Sequence, residues 1–163
     1  MKTLLIVFHT MTGGSQQMAE AAQRGASTES EVTVRLLRAS SAQGDDVLQA
    51  DGYIFITPEN LASMSGAMKD FFDRTYYAAL DRIAGRPYAT LVCAGSDGTS
   101  AVRQIERICT GWRLKPVCDP VIVCTHVQTP EAILAGKTIG FEDLQRCEET
   151  GAALAAGLAL GIF

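Results

Sequence analysis

Leu4-Leu5-Ile6-Val7-Phe8-His9-Thr10-Met11-Thr12-Gly13-Gly14-Ser15-Gln16-Gln17-Met18-Ala19-Glu20 is the stretch that decides the fold. Its short, unbroken apolar run predicts a strand buried on both faces, as in a parallel sheet. The run ends in hydroxyl residues and two glycines, and a helical pattern then begins around Met18, Ala19, Ala21 and Ala22. A strand that turns straight into a helix aims that helix's free N–H groups at the loop. Small residues there let an anion approach the backbone. Thr10, Thr12 and Ser15 add side-chain donors. The alternative is an ordinary tight βα connection with glycines for geometry, and on this stretch alone the two readings stand level. The loop holds no Gly-Lys-Ser/Thr and no G-x-G-x-x-G, which excludes for it a nucleoside-triphosphate loop and the dinucleotide fingerprint. With no lysine or arginine in the loop, a cradle here relies on neutral donors and the helix dipole, which suits one phosphate monoester.

Outward from this stretch, the chain alternates. Glu31–Leu37 reads as a more exposed strand, and Val47 and Leu48 as a short helical turn. Tyr53–Thr57 reads as a buried strand, closed by Pro58, which lacks a ladder donor. Met64, Ala67, Met68, Phe71, Phe72 and Tyr76 share one helix face, read as core packing. Ala89–Ala94 is the next buried strand, followed by a helix with Ala101, Ile105, Ile108, Cys109 and Trp112 on one side. Trp112 is read as a helix-end packing residue with a role in a subunit contact. Residues 117–125 contain the last strand. Thr129-Pro130 predicts a capped short helix, and a final helix runs from about Phe141 with Leu144, Cys147, Gly151, Leu154, Ala155 and Leu158 inward. Strands alternating with helices predict a three-layer, doubly wound α/β domain spanning residues 1–163. Its five parallel strands take the order 2-1-3-4-5, with the ligand crevice at their carboxyl ends.

Composition narrows the function. Of 163 residues, 47% are hydrophobic and 20% charged, which fits a compact core. A formal net charge of −4 argues against a nucleic-acid partner. Five widely spaced cysteines with no C-x-x-C read as reduced thiols, and two histidines without ligand spacing argue against a metal. The start lacks a signal-peptide pattern, and the apolar tail 151–163 is too short to span a bilayer. The expectation is a cytoplasmic protein with no membrane partner.

Three loops converge at the carboxyl ends of the first, third and fourth strands: residues 9–15, Pro58-Glu59-Asn60-Leu61-Ala62-Ser63-Met64-Ser65-Gly66, and Gly95-Ser96-Asp97-Gly98-Thr99. Here a family resemblance enters. Thr57-Pro58 followed by Ser63-Met64-Ser65-Gly66-Ala67-Met68-Lys69-Asp70-Phe71-Phe72-Asp73-Arg74 resembles the second flavin loop and following helix of the NAD(P)H-dependent FMN reductase and quinone reductase branch of the flavodoxin superfamily. Thr10-Met11-Thr12-Gly13-Gly14-Ser15 is similar to that superfamily's T/S-x-T-G-x-T/S phosphate loop. By topology the resemblance covers essentially the whole chain.

The resemblance implies FMN, with its phosphate on Thr10, Met11, Thr12, Gly13, Gly14 and Ser15. It sets the isoalloxazine between Pro58, Glu59, Asn60, Leu61, Ala62, Ser63 and Met64 on one side and Gly95, Ser96, Asp97 and Gly98 on the other. His9 contacts the phosphate or a substrate, or else faces solvent. Glu59 approaches the flavin edge or, the favoured reading, is a solvated loop charge. Asn60 meets flavin N5, O4 or a substrate carbonyl, and Asp97 accepts from flavin N3–H or forms a turn with Gly98.

Departures from the family pattern are Gly14 where Asn is common and Asn60-Leu61-Ala62 in place of an aromatic-Phe-Gly stretch. The third loop also lacks the stacking aromatic of electron-carrier flavodoxins. Cys93 has no arginine at Cys-x5-Arg spacing, which disfavours a phosphatase, and Ser65 has no triad partners in sequence order. The implied function is NADPH- or NADH-dependent reduction of a small-molecule electron acceptor through FMN. The chemistry is then borne by the flavin, with no catalytic side chain. A homodimer or homotetramer is expected. An electron carrier serving a protein partner is the alternative, and a flavin-free binding module is the third reading.

Overall fold

The computed structural model covers residues 1–163, and its elements follow the expected alternation. They are β1 (Lys2–Phe8), α1 (Gly14–Ala26), β2 (Val32–Arg38), α2 (Gly44–Gln49), β3 (Gly52–Asn60), β4 (Ser63–Met64) and α3 (Gly66–Ala79). After these come β5 (Pro87–Ala94), α4 (Thr99–Gly111), β6 (Lys115–Pro116), β7 (Val121–Cys124), α5 (Pro130–Leu134) and α6 (Phe141–Leu160). The sheet order is β2-β1-β3-β5, with β6 and β7 as two separate pieces on the outer edge of β5. All these pairings are parallel, which is the doubly wound, flavodoxin-like arrangement.

The period-two alternation of the strands divides the core. Leu5, Val7, Tyr53, Phe55 and Val92 face α2, α3 and α4, where Phe55 packs against Phe71, Phe72 and Trp112. Leu4, Ile6, Ile54, Ile56 and Leu91 face α1 and α6 with Met18, Cys147, Leu154 and Leu158. Strands apolar on both faces suit only a sheet covered on both sides. No helix is long and apolar enough to cross a membrane.

Four expectations need correction. Helix α1 starts at Gly14, four residues before its apolar pattern shows. Pro58 does not end its strand: it takes the last position of the β3–β5 ladder, opposite Cys93, where a missing N–H costs little. The strand then runs on into an antiparallel hairpin, Glu59 opposite Met64 and Asn60 opposite Ser63. Met64 is therefore a strand residue and Tyr76 is 39% exposed, so the buried face of α3 is Met68, Phe71, Phe72, Thr75 and Ala79. The last strand does fall within residues 117–125, as β7, and Pro116 and Pro120 separate it from the short piece β6 on the same edge. Trp112, 3% exposed, lies in the core between Phe55 and Phe72, away from any surface a partner subunit could touch.

Candidate functional site

At the carboxyl ends of β1, β3 and β5 the three loops enclose a cavity of about 530 Å³. Thr10, Met11, Thr12, Gly14 and Ser15 form one wall. Residues 58–62 form another, and Gly95 and Ser96 a third. The first loop holds itself in shape: Thr10 Oγ1 accepts from the Gly13 N–H at 2.9 Å, and Gly13 adopts φ 95°. No side chain caps α1 and no acid sits in its first turn. The leading N–H groups of a helix have no carbonyl behind them, so those of Gly14, Ser15 and Gln16 stay available to a ligand. The Ser15 hydroxyl is 1% exposed and has no hydrogen-bond partner. A Cβ on Gly14 would stand 2.7 Å from Cys93 Sγ, so glycine is what lets the loop close onto β5.

The remaining expected site residues stand off the cavity wall. His9 is turned toward Ser65, with Nδ1 2.8 Å from Ser65 Oγ, which also accepts from the Met68 N–H as the N-cap of α3. Burial, and then the nearby Arg38 charge, lower the His9 pKa, so this imidazole is neutral near pH 7. Ser63 donates to Gln104 Oε1 at 3.0 Å, and the Met64 N–H does so at 2.8 Å, which pins the hairpin to α4. Asp97 closes a turn by accepting from Thr99 N and Oγ1. Gly98 caps α4 with φ 88°.

Glu59, read from sequence as a solvated charge, has a structural role. Its carboxylate accepts from the Gly98 N–H at 3.0 Å and the Ala101 N–H at 3.3 Å, so it occupies the positive end of α4. The hairpin that carries it turns through Leu61 and Ala62 at φ 50° and 57°.

Sequence reasoning missed a fourth wall. Cys93, Ala94, Thr125, Val127, Gln128, Ile133, Leu134 and Lys137 also line the cavity. The segment after β7 is stitched to the first loop by Gln17, whose Nε2 donates to Gly13 O and Lys137 O while Oε1 accepts from the Ile139 N–H. The Lys137 N–H itself donates to Thr12 O at 2.9 Å. The doubly wound order held the signal: the loop after the fifth strand opens at the same edge as the other three. Cys93 is no nucleophile at neutral pH, because burial pushes its thiol up to about 11 against the weaker opposing pull of Lys137.

Residues 41–128 match the family described as NADPH-dependent FMN reductase. A flavodoxin from Aquifex aeolicus is 28% identical over 165 residues, spanning 98% of this chain and 89% of the relative. An NAD(P)H dehydrogenase (quinone) from Acidithiobacillus ferrooxidans is 33% identical over 95 residues. That match spans 46% of this chain and about half, 48%, of the relative's length. The solved structure of a flavodoxin from the domain Archaea superposes with a TM-score of 0.77 at 18% identity, over 96% of this chain and 98% of the other.

Proposed function

The chain belongs to the NADPH-dependent FMN reductase family, and on that premise we propose that it passes electrons from NAD(P)H through FMN to a quinone or similar small acceptor. Membership makes it a flavin oxidoreductase; the choice of reductant and acceptor is our reading. The observation that carries it is the unpartnered, buried Ser15 hydroxyl at the open end of α1, inside a cavity built by all the expected loops. An orphaned buried donor is costly, and a phosphate beside it removes that cost. FMN when bound supplies two-electron chemistry, so that NAD(P)H, a proton and a quinone become NAD(P)+ and a hydroquinone.

In this reading the protein's residues bind and orient, and residues 1–163 act as one FMN-binding domain. Thr12, Gly13, Gly14 and Ser15 hold the phosphate, and residues 58–62 with Gly95 and Ser96 hold the ring by its polar edge. Glu59 keeps the second and third loops at a fixed separation. His9, Ser63, Met64, Asp97 and Gly98 act from behind the wall, by shaping the loops. A homodimer or homotetramer in the cytoplasm completes the reading, and sedimentation of the FMN-loaded protein tests the assembly.

A flavodoxin-type carrier is the second reading, favoured by the near full-length similarity to the Aquifex aeolicus protein. Against it, no aromatic side chain lines the cavity to stack on a ring.

Anaerobic titration of FMN-loaded protein with NADPH, then NADH, separates the two. One-step bleaching of the flavin bands is expected; flavin that binds but is not reduced transfers the case to the carrier. Thr12→Asp sets a charge against the phosphate and Gly13→Val adds bulk at a positive φ. Each should weaken FMN binding by at least about 100-fold. Unchanged affinity in both overturns the phosphate-loop assignment.

A further inference from the structure

Twelve large apolar side chains are exposed on this protein, and four of them, Met11, Leu61, Ile133 and Leu134, line the one candidate cavity. They come from the first loop, the β3–β4 turn and helix α5. Leu61 is the extreme case. It is fully exposed, and it occupies the first position of a two-residue hairpin loop with φ 50°, followed by Ala62 at φ 57°. Such a turn favours Asn-Gly, so both the backbone and water oppose a leucine there. A residue held against two costs in the free protein points to a contact made with a bound molecule.

The charges around the same mouth are already spent. Glu59 and Lys137 are the only carboxylate and the only ammonium among the lining residues. The Glu59 carboxylate is occupied by the α4 backbone. The Lys137 ammonium donates to the carbonyls of Ala132, Ile133 and Ala135. An anionic acceptor entering here finds no cationic side chain with an N–H left to donate, and a neutral aromatic one meets four apolar side chains.

We propose that the rim of Met11, Leu61, Ile133 and Leu134 selects an uncharged, apolar aromatic acceptor over an anionic one, with Leu61 and Leu134 as specificity-determining residues. The inference rests on the flavin reading above and names the acceptor class of that site. The reaction stays balanced as before: NAD(P)H and a proton are consumed with the quinone, and NAD(P)+ and the hydroquinone are released.

The test uses the FMN-loaded protein, with bound FMN measured first for every variant. 1,2-Naphthoquinone is compared with its 4-sulfonate, whose electron-withdrawing group makes it the stronger oxidant, so a preference for the neutral compound runs against driving force. We expect kcat/KM at least about tenfold higher for the neutral quinone. A readout apart from turnover is the Kd of redox-inert 2-methylnaphthalene against naphthalene-2-sulfonate, followed by perturbation of the flavin absorbance. The neutral ligand should bind tighter. Leu61→Ser and Leu134→Ser should each reduce both ratios about three- to tenfold, and Leu134→Lys should tighten the sulfonate about threefold. Leu61→Asn should raise Tm, because asparagine suits φ 50°, while it lowers both ratios.

Equal kcat/KM and Kd for neutral and sulfonated compounds, with FMN retained, overturn the rim proposal alone. Ratios that survive the Leu61→Ser and Leu134→Ser changes together do the same. So does a fall in sedimenting mass on those changes with no fall in the ratios, which assigns the rim to a contact between copies. Wild-type protein that retains no FMN overturns the flavin reading and this proposal with it.

Discussion

Helices α1 and α4 begin alike and are completed differently. Each follows a buried strand, each has a left-handed glycine at its N-cap (Gly13 at φ 95°, ψ −12°; Gly98 at φ 88°, ψ −15°), and neither cap residue supplies a side-chain bond. At α4 the Glu59 carboxylate crosses from the second loop and takes the Gly98 and Ala101 N–H groups. At α1 no carboxylate arrives, and the Ser15 hydroxyl beside the free N–H groups is unpartnered. The fold thus makes two seats for an anion, because every βα junction of a parallel sheet points a helix N-terminus at the same edge. The chain fills one seat with its own acid. The other is the one we propose for the FMN phosphate.

The largest expected effect separates the two glycines. Alanine at either cap pays for a left-handed φ, about 1–2 kcal/mol. At Gly98 the added Cβ also meets Ile122 Cγ2 at 2.7 Å and Ala94 Cβ at 3.2 Å, whereas at Gly13 its only neighbour is Gln17 Nε2 at 3.7 Å. Overpacking of this kind adds roughly 1–3 kcal/mol. Gly98→Ala should therefore lower the denaturant midpoint about twice as far as Gly13→Ala. Equal losses would show that the two junctions are alike in packing as well as in backbone.

Ser15→Ala sharpens the contrast by acting with opposite signs. Removing an unsatisfied buried hydroxyl should leave the flavin-free protein as stable or more stable, by up to about 1 kcal/mol. The same change should weaken FMN about tenfold or more, since a hydrogen bond to a charged group contributes roughly 1.5–3 kcal/mol. Calorimetric unfolding and FMN titration on one variant read both. A loss of stability without a loss of affinity would place the phosphate elsewhere.

That asymmetry between α1 and α4 explains what was legible in the sequence. The strands were, because Leu4–Phe8 is apolar at every position and Ala89–Ala94 at every position but Thr90, and only a doubly covered sheet buries both faces. The open seat was, because Thr10–Ser15 is local. The filled seat was not: Glu59 lies 39 positions from Gly98, and nothing in Pro58-Glu59-Asn60 shows that the chain turns back at Leu61 and Ala62 without a glycine. Lys137 escaped for the same reason, since it reaches the first loop through Thr12 O and Gln17, about 120 positions away.

Glu59→Gln tests the filled seat with a smaller effect. The amide oxygen can still accept one N–H, but the charge at the helix end is lost, which should cost about 1 kcal/mol of stability. FMN affinity should change less than about threefold, because the role assigned to Glu59 is to hold two loops together. A fall in affinity larger than the fall in stability would move Glu59 from the scaffold to the ligand.

The smallest effect concerns His9, behind both seats. Its folded pKa lies below 6.5 through burial and the Arg38 charge. The unfolded chain therefore binds the proton more readily, so this residue's share of stability is complete above pH 6.5. It is lost as the pH falls from 6.5 through the folded pKa, and levels below it. His9→Gln keeps an acceptor for Ser65 and removes the titration, so its unfolding midpoint should be flatter than wild type between pH 7 and 5. Midpoints that fall in parallel over that range would show that protonated His9 is as well accommodated as neutral, and that the contact with Ser65 Oγ survives protonation with Nδ1–H as donor.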